Sequence, residues 1–140
     1  MVNVVISSDP RYLVNKGAIQ SAVLNILTQN KVHGRVEVEV VVVGDRKMHE
    51  LNRDYRGLDT TTDILTFALH DASAQSLQQT QVPRFSGFIM PPDSWLHLGS
   101  IVISYPQAVE DAGMDNRSVE DEISYLVEHG TNHLLGHHHN

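Results

Sequence analysis

The sequence contains no cysteine, and this absence excludes disulfide bonds and every thiolate-based zinc or iron–sulfur site. No apolar run approaches the roughly 18 residues that cross a bilayer, and the first residues do not resemble a secretory signal. Aromatic residues make up only 6% of the chain, and ten lysines and arginines face seventeen acids. We therefore expect a soluble, cytoplasmic protein without a membrane partner, whose available metal ligands are histidine, aspartate and glutamate.

The chain has 140 residues, the length of one domain of ordinary size. A domain of this length buries roughly two-thirds of its unfolded surface, so it folds without a stabilising metal. The net charge of −7 is uneven, because residues 1–69 are neutral and residues 70–140 carry all of it. An acidic chain disfavours nucleic-acid binding through bulk charge, but a local basic surface can override that effect.

The apolar pattern predicts a single α+β domain over residues 1–140, with a small, mixed, four-stranded sheet packed with helices. Four runs have the composition of strands: 2–7, 36–43, 62–67 and 98–104. Four segments have helical spacing: Asp9 to about Asn30, 46–56, 105–112, and Ser118 to about Leu135. The predicted N-caps are Asp9, Asp45 and Ser118, the last in a capping box with Asp121. Residues 70–97 lack a clear pattern, and we interpret them as a long loop or flap.

The most informative segment is 129–139, which holds five of the nine histidines. His129 and His133 are four residues apart, so a helix places both imidazoles on one face, where they can bind one metal ion. Gly136 can adopt the left-handed conformation that ends a helix, and can turn one of the histidines at 137–139 toward the first two. This pattern predicts a zincin-like metal helix near the C-terminus.

The spacing of these residues is that of the metzincin motif, H-E-x-x-H-x-x-G-x-x-H, with one difference. Gly130 stands where the metzincin peptidases have the glutamate that takes a proton from zinc-bound water. Glycine cannot act as a base, so peptide hydrolysis by that mechanism is not expected. The alternative explanations are a chance pair of surface histidines or the remnant of an affinity tag. Asn140 after the run, and His129 and His133 outside it, argue against a tag.

Three blocks of sequence, in order along the chain, resemble the YbeY family of metal-dependent endoribonucleases, which act in ribosomal RNA maturation. Residues 129–139 resemble the family motif H-G-x-x-H-L-x-G-[YFH]-[DT]-H at its three ligand positions and both glycines. Residues 51–67 resemble L-N-x-x-Y-R-x-x-D-x-x-T-D-V-L-S-F, and residues 98–104 resemble L-G-D-I-x-I-S. The sequence departs from the family pattern at Ser100, Asn132 and His138.

The resemblance implies one catalytic zinc ion held by His129, His133 and His139, with water in the open fourth position. Three neutral imidazoles leave the ion its full charge, which lowers the pKa of bound water to about 7. The resemblance also implies that Arg56 stabilises the negative charge that develops on a phosphodiester during cleavage. A guanidinium suits this role because it donates paired hydrogen bonds to the phosphoryl oxygens.

Arg56 also belongs to a stripe of basic side chains on the helix predicted at 46–56. The other members are Arg46, His49 and Arg53, which fall on the same side at 100° per residue. Alone, Arg56 would be interpreted as a solvated surface arginine paired with Asp54 or Asp59. The stripe instead favours a groove for the RNA backbone.

The leading interpretation is a zinc-dependent endoribonuclease of single-stranded ribosomal RNA, with the ribosomal subunit as partner and no DNA substrate. The general base stays open between metal-bound hydroxide, the RNA 2′-hydroxyl and a carboxylate such as Asp63. One alternative is a metal-dependent hydrolase of another substrate, such as a peptide. The other is a ribosome assembly factor without catalytic activity. No role is predicted for His137 or His138.

Overall fold

A mixed four-stranded sheet with helices on both faces organises the chain in a computed structural model, which describes residues 2–69 and 96–136. The strands are β1 (Val2–Ser8), β2 (Val36–Val43), β3 (Ile64–Ala68) and β4 (Leu96–Ser104). The helices are α1 (Lys16–Gln29), α2 (Asp45–Arg56), α3 (Tyr105–Asp115) and α4 (Val119–Leu134). The α+β class and the mixed four-stranded sheet are confirmed. Over the described ranges, no helix combines the length and the apolar character that a membrane crossing needs.

The strand order is β1-β2-β4-β3, with the first three strands parallel and β3 antiparallel at one edge. The pairing of β2 with β4 shifts by one residue, since Glu37 pairs with His97 and Val38 pairs with Gly99. This shift is a β-bulge, which locally bends and twists the bulged strand. Gly99 has a φ of 140°, a conformation that favours glycine.

The second half of β2 is buried on both faces, as its continuous apolar run predicts. Val38 and Val40 face the main core, which is built largely from α1 and α4. Val41 and Val43 face a smaller apolar cluster that α2 covers with Met48 and Leu51. The sheet therefore separates α2 from the helix that carries the histidines.

The first helix begins at Lys16, so the prediction that it begins at Asp9 is wrong. Asn15 is the N-cap, and its side chain accepts a hydrogen bond of 3.0 Å from the Ala18 N–H. Asp9 instead forms a turn with Arg11, whose backbone N–H and guanidinium both donate to its carboxylate. Because this local hydrogen bonding competes with helix formation, the Asp9-Pro10 pair does not begin a helix.

Asp45 is the first residue of α2 and not its N-cap, which is Gly44. Its carboxylate accepts hydrogen bonds from Thr61 at 2.6 Å and from Ser104 and Gln107 at 3.0 Å each. Burial alone raises the pKa of Asp45, but these three hydrogen bonds outweigh burial and lower it. Asp45 thus joins α2 to the segment before β3, to the end of β4 and to α3.

The other predicted boundaries differ by a few residues. The strand predicted at 62–67 is Ile64–Ala68, and the helix predicted at 105–112 extends to Asp115. The strand predicted at 98–104 begins earlier, at Leu96, so the last two residues of the predicted flap belong to β4. Residues 70–95 lie outside the described residues, and their interpretation as a flap stays a prediction.

We predict that Asp45→Ala lowers the free energy of unfolding by about 2–3 kcal/mol, because three donors lose a charged acceptor. The folded pKa of Asp45 lies below its unfolded value, so its contribution is present above the unfolded pKa and is lost as pH falls through the folded pKa. Urea unfolding at pH 7 and pH 3 measures both effects. Asp54→Ala is the control, since Asp54 has an exposed ion pair with Arg53. A loss at pH 7 no larger than that of the control would contradict the prediction.

Candidate functional site

The helix that carries the predicted metal ligands begins at the predicted cap. The Asp121 N–H donates a hydrogen bond of 3.0 Å to the Ser118 hydroxyl, and three acids occupy the first turn. Negative side chains at a helix N-terminus are stabilising, because that end of the helix dipole is positive. The helix ends at Leu134, and Gly136 follows with a φ of 89°, which confirms the predicted left-handed turn.

Two glycines let this helix approach the sheet closely. A Cβ atom on Gly130 would lie 2.9 Å from Ile101 Cγ2, and Ile101 is fully buried in the centre of β4. A Cβ atom on Gly99 would lie 2.1 Å from the Phe67 carbonyl oxygen and 3.0 Å from Leu134 Cδ2. Gly130 is therefore required by packing, in addition to being unable to act as the metzincin base.

His129 and His133 have ring centroids 4.5 Å apart, with ring planes inclined at 51°. Both line a cavity of about 410 Å³, whose other walls are Arg56 and residues 62–67 along the edge strand β3. The fold thus brings the predicted arginine and two predicted ligands together from helices on opposite faces of the sheet. Two nitrogen donors on successive helical turns match the ligand preference of zinc.

The third predicted ligand, His139, lies outside the described residues. Within residues 2–69 and 96–136, no group of three metal-ligating side chains has the arrangement to hold an ion. The described residues therefore supply two of the three predicted metal ligands, His129 and His133. The complete zincin-like ligand set stays a prediction.

The predicted basic stripe lies on α2, but three of its members are paired with acids. Arg46 lies 3.9 Å from Glu50, His49 lies 2.7 Å from Asp59, and Arg53 lies 3.1 Å from Asp54; all three pairs are largely exposed. These pairs occupy the two aspartates that the surface interpretation of Arg56 would require. In the described part of the chain, no carboxylate forms an ion pair with Arg56, and its side chain lines the cavity.

A second group of charges adjoins the cavity, and of its members only Asp63 is predicted from the sequence, as a candidate general base. Asp63 lines the cavity and forms a side-chain hydrogen bond with Asp111 of α3. Burial, this hydrogen bond and the nearby charges of Asp63, Glu122 and Asp115 raise the pKa of Asp111 to about 7. The i, i+4 spacing of Asp111 and Asp115 on one helix was the available sequence signal.

Arg117 and Tyr125 extend the site along α4, and neither was singled out from the sequence. Arg117 Nε lies 3.3 Å from Glu122 Oε1, and Glu122 is only 2% exposed. Burial is the main cause that raises the pKa of Glu122, while the Arg117 charge opposes it. The Arg117 guanidinium carbon lies 4.7 Å from the Tyr125 ring centroid, and that ring stacks with His129 at 6.3 Å.

Known proteins with similar sequences belong to one family, and a solved structure shares the fold. A sequence model of the family described as Endoribonuclease YbeY matches residues 10–140. An endoribonuclease YbeY of Dehalococcoides mccartyi strain 195 is 33% identical over 138 residues, covering 99% of this chain and 77% of that protein. One from Roseiflexus castenholzii is 36% identical over 132 residues, covering 93% of this chain and 75% of that protein. The solution structure of a Thermotoga maritima protein shares the fold, with a TM-score of 0.54 at 24% identity, over all of this chain and 75% of its own.

The α+β fold and a cavity lined by an arginine and two histidines define the class, a small hydrolase-like domain with a histidine helix against its sheet. The chain belongs to the endoribonuclease YbeY family, and the resemblance seen in the sequence is confirmed. Enzymes of this family are nucleases that act on phosphodiester bonds.

We predict that Gly130→Ala lowers the free energy of unfolding by about 1–2 kcal/mol, because the new methyl group overpacks against buried Ile101. Gly113→Ala is the matched control, since Gly113 lies in α3 with open space around its Cβ position. Alanine there improves helix propensity and is expected to stabilise the protein by about 0.5–1 kcal/mol. Urea titrations of both variants test this prediction. Destabilisation by Gly130→Ala together with stabilisation by Gly113→Ala supports the close approach of α4 to β4, and equal stabilisation by both variants contradicts it.

We predict that Asp111→Asn is more stable than the parent protein at pH 8, by about 1–2 kcal/mol after solvent screening. The folded pKa of Asp111, about 7, lies above the ordinary aspartate value of 3.8, so the folded state binds more protons between these pH values. The parent protein therefore loses stability as pH rises from about 4 to about 7, because the folded state must release a proton that it binds favourably. Unfolding measured at pH 5 and pH 8 should show a smaller loss for the variant. An identical pH dependence for both proteins would show that Asp111 carries no such proton.

Proposed function

We propose that this chain is a zinc-dependent endoribonuclease that cuts single-stranded ribosomal RNA during rRNA maturation in the cytoplasm, in association with the ribosomal subunit. The observation that carries the proposal is the shared cavity of Arg56, His129 and His133. Family membership supports RNA as the class of substrate. The alternatives, a peptide hydrolase and a non-catalytic assembly factor, have no comparable observation in their favour.

Arg56 is proposed to bind the phosphate that is cleaved. Arg56 lines the cavity, and no carboxylate of the described residues forms an ion pair with it. The guanidinium would therefore stabilise the negative charge that develops on the non-bridging oxygens during cleavage, without first having to leave another partner. The other members of the stripe, Arg46, His49 and Arg53, would bind neighbouring phosphates, since exposed ion pairs are weak and readily exchange partners.

His129, His133 and His139 are proposed to hold the zinc ion. When bound there, zinc would supply Lewis-acid polarisation of a phosphoryl oxygen and activation of water. The two described imidazoles would contribute nitrogen ligands from one helix face, with Arg56 across the same cavity. Asp63 also lines this cavity, so its carboxylate is placed to accept a proton.

Two routes of cleavage fit these residues, and their products differ. With water as nucleophile, its oxygen bonds to phosphorus, one proton passes to the base, and the leaving ribose oxygen gains a proton. The products then carry a terminal phosphate and a free hydroxyl. With the RNA 2′-hydroxyl as nucleophile, its proton passes to the base, its oxygen bonds to phosphorus, and the P–O5′ bond breaks as the leaving oxygen gains a proton. One product then carries a 2′,3′-cyclic phosphate and the other a 5′-hydroxyl.

Single-stranded RNA suits the cavity better than a duplex. An unpaired strand can bend so that one phosphate enters a cavity of this size, with its neighbours on the α2 surface. A duplex holds its phosphates on a regular helix that cannot follow a concave wall. We therefore propose strand specificity as a consequence of the shape of the site.

We predict that the purified protein cleaves a labelled single-stranded rRNA segment, and that EDTA abolishes the cleavage. Arg56→Ala is expected to lower kcat by about 10²–10³-fold, the cost of losing one preorganised donor at the developing charge. His133→Ala is expected to abolish cleavage together with zinc binding. Gel analysis of the products, with the same strand annealed to its complement and a DNA strand of equal sequence, measures all of these outcomes.

Arg35→Ala is the matched control, since Arg35 is an exposed arginine outside both the stripe and the cavity. It is expected to cleave RNA at the parent rate. Full activity of Arg56→Ala, or cleavage that EDTA leaves unchanged, would contradict the proposal. Intact RNA beside cleaved peptides would favour the peptide hydrolase, and intact RNA with normal binding to the ribosomal subunit would favour the assembly factor.

A further inference from the structure

Three side chains form a stacked column that leads from the start of α4 to the first proposed ligand. The column consists of Arg117, Tyr125 and His129. The guanidinium carbon of Arg117 lies 4.7 Å from the Tyr125 ring centroid, and the Tyr125 and His129 rings are stacked at 6.3 Å with an interplanar angle of 18°. Both distances lie within the ranges of cation–π and offset aromatic contacts.

The far end of this column is anchored by carboxylates. Arg117 Nε lies 3.3 Å from Glu122, whose side chain is 2% exposed, and a second guanidinium nitrogen lies 4.0 Å from Asp115. These contacts restrict the arginine, and the arginine lies over the ring of Tyr125, a residue that remains 48% exposed. A half-exposed tyrosine on a helix is normally mobile, so this anchoring reduces its freedom before any ligand binds.

We propose that Tyr125 is a positioning residue, which restricts rotation of the His129 imidazole and thereby preorganises it to bind zinc. The inference rests on the proposed function, since it takes His129 to be a metal ligand. Partners of a ligating histidine commonly orient its ring and tune metal affinity. Here the partner is an aromatic face, and Arg117 acts on His129 only through Tyr125.

The test compares zinc affinities, measured by competition with a chromophoric chelator on the full-length protein. Tyr125→Leu is expected to bind zinc about 3–10-fold more weakly, the size of one lost aromatic contact. Tyr125→Phe keeps the ring and is expected to retain parent affinity, which separates stacking from any role of the hydroxyl. Thermal unfolding of both variants checks that the fold is unchanged, as expected for a half-exposed side chain.

A double-mutant cycle tests the order of the column. Arg117→Lys keeps the charge beside Glu122 but loses the planar stack, so it is expected to weaken zinc binding about 2–5-fold. In the Tyr125→Leu background the same change is expected to have no further effect, because the path to His129 is already broken. The absorption spectrum of bound Co²⁺ should change in Tyr125→Leu and not in Tyr125→Phe.

Equal zinc affinity of the parent protein and Tyr125→Leu would overturn the inference while leaving the proposed function intact. A raised KM for RNA with unchanged zinc affinity would also overturn it, and would make Tyr125 a base-stacking residue. A parent protein that binds no zinc would instead overturn the proposed function itself. These failures are distinguishable because zinc binding and RNA cleavage are measured separately.

Discussion

The close approach of α4 to β4 is the constraint on which the site depends. Gly130 lies against the fully buried side chain of Ile101, where a Cβ atom would come within 2.9 Å of it. Gly99 permits a similar approach beside Leu134 because it has no Cβ atom, and its φ of 140° at the β-bulge is a second reason for glycine there. With the helix held at this depth, the side chains of His129 and His133 line the cavity beside β3.

The charged residues around the cavity form two groups, one on the α2 side and one on the α3 side. On the α2 side, nearby acids balance the stripe, and among the described residues Arg56 is the member that faces the cavity without an acid partner. On the α3 side, burial and the side-chain hydrogen bond with Asp63 raise the pKa of Asp111 to about 7. Below that pH, protonated Asp111 lowers the fixed negative charge beside the cavity.

The predictions from sequence succeeded where a local pattern and the tertiary environment favour the same structure. The apolar run of β2, the cap at Ser118 and the left-handed Gly136 are examples, since each is determined by its own few residues. They failed where two local structures compete for the same side chain. Asp9 has the sequence of a helix cap but is bound by Arg11 in a turn, and Asp45 is bound by groups far away in sequence.

The sequence by itself determined the family, the elements of the fold and the candidate residues, because motif spacing and apolar periodicity are local properties of the chain. Only the tertiary structure decided which candidates share a cavity and which charges are neutralised, since those relations join residues on different elements. The contact of Tyr125 with His129 belongs to the first class, since the two residues are four apart on one helix. Asp111 belongs to the second class, because its raised pKa depends on Asp63, a carboxylate on another segment that no spacing in the sequence places beside it.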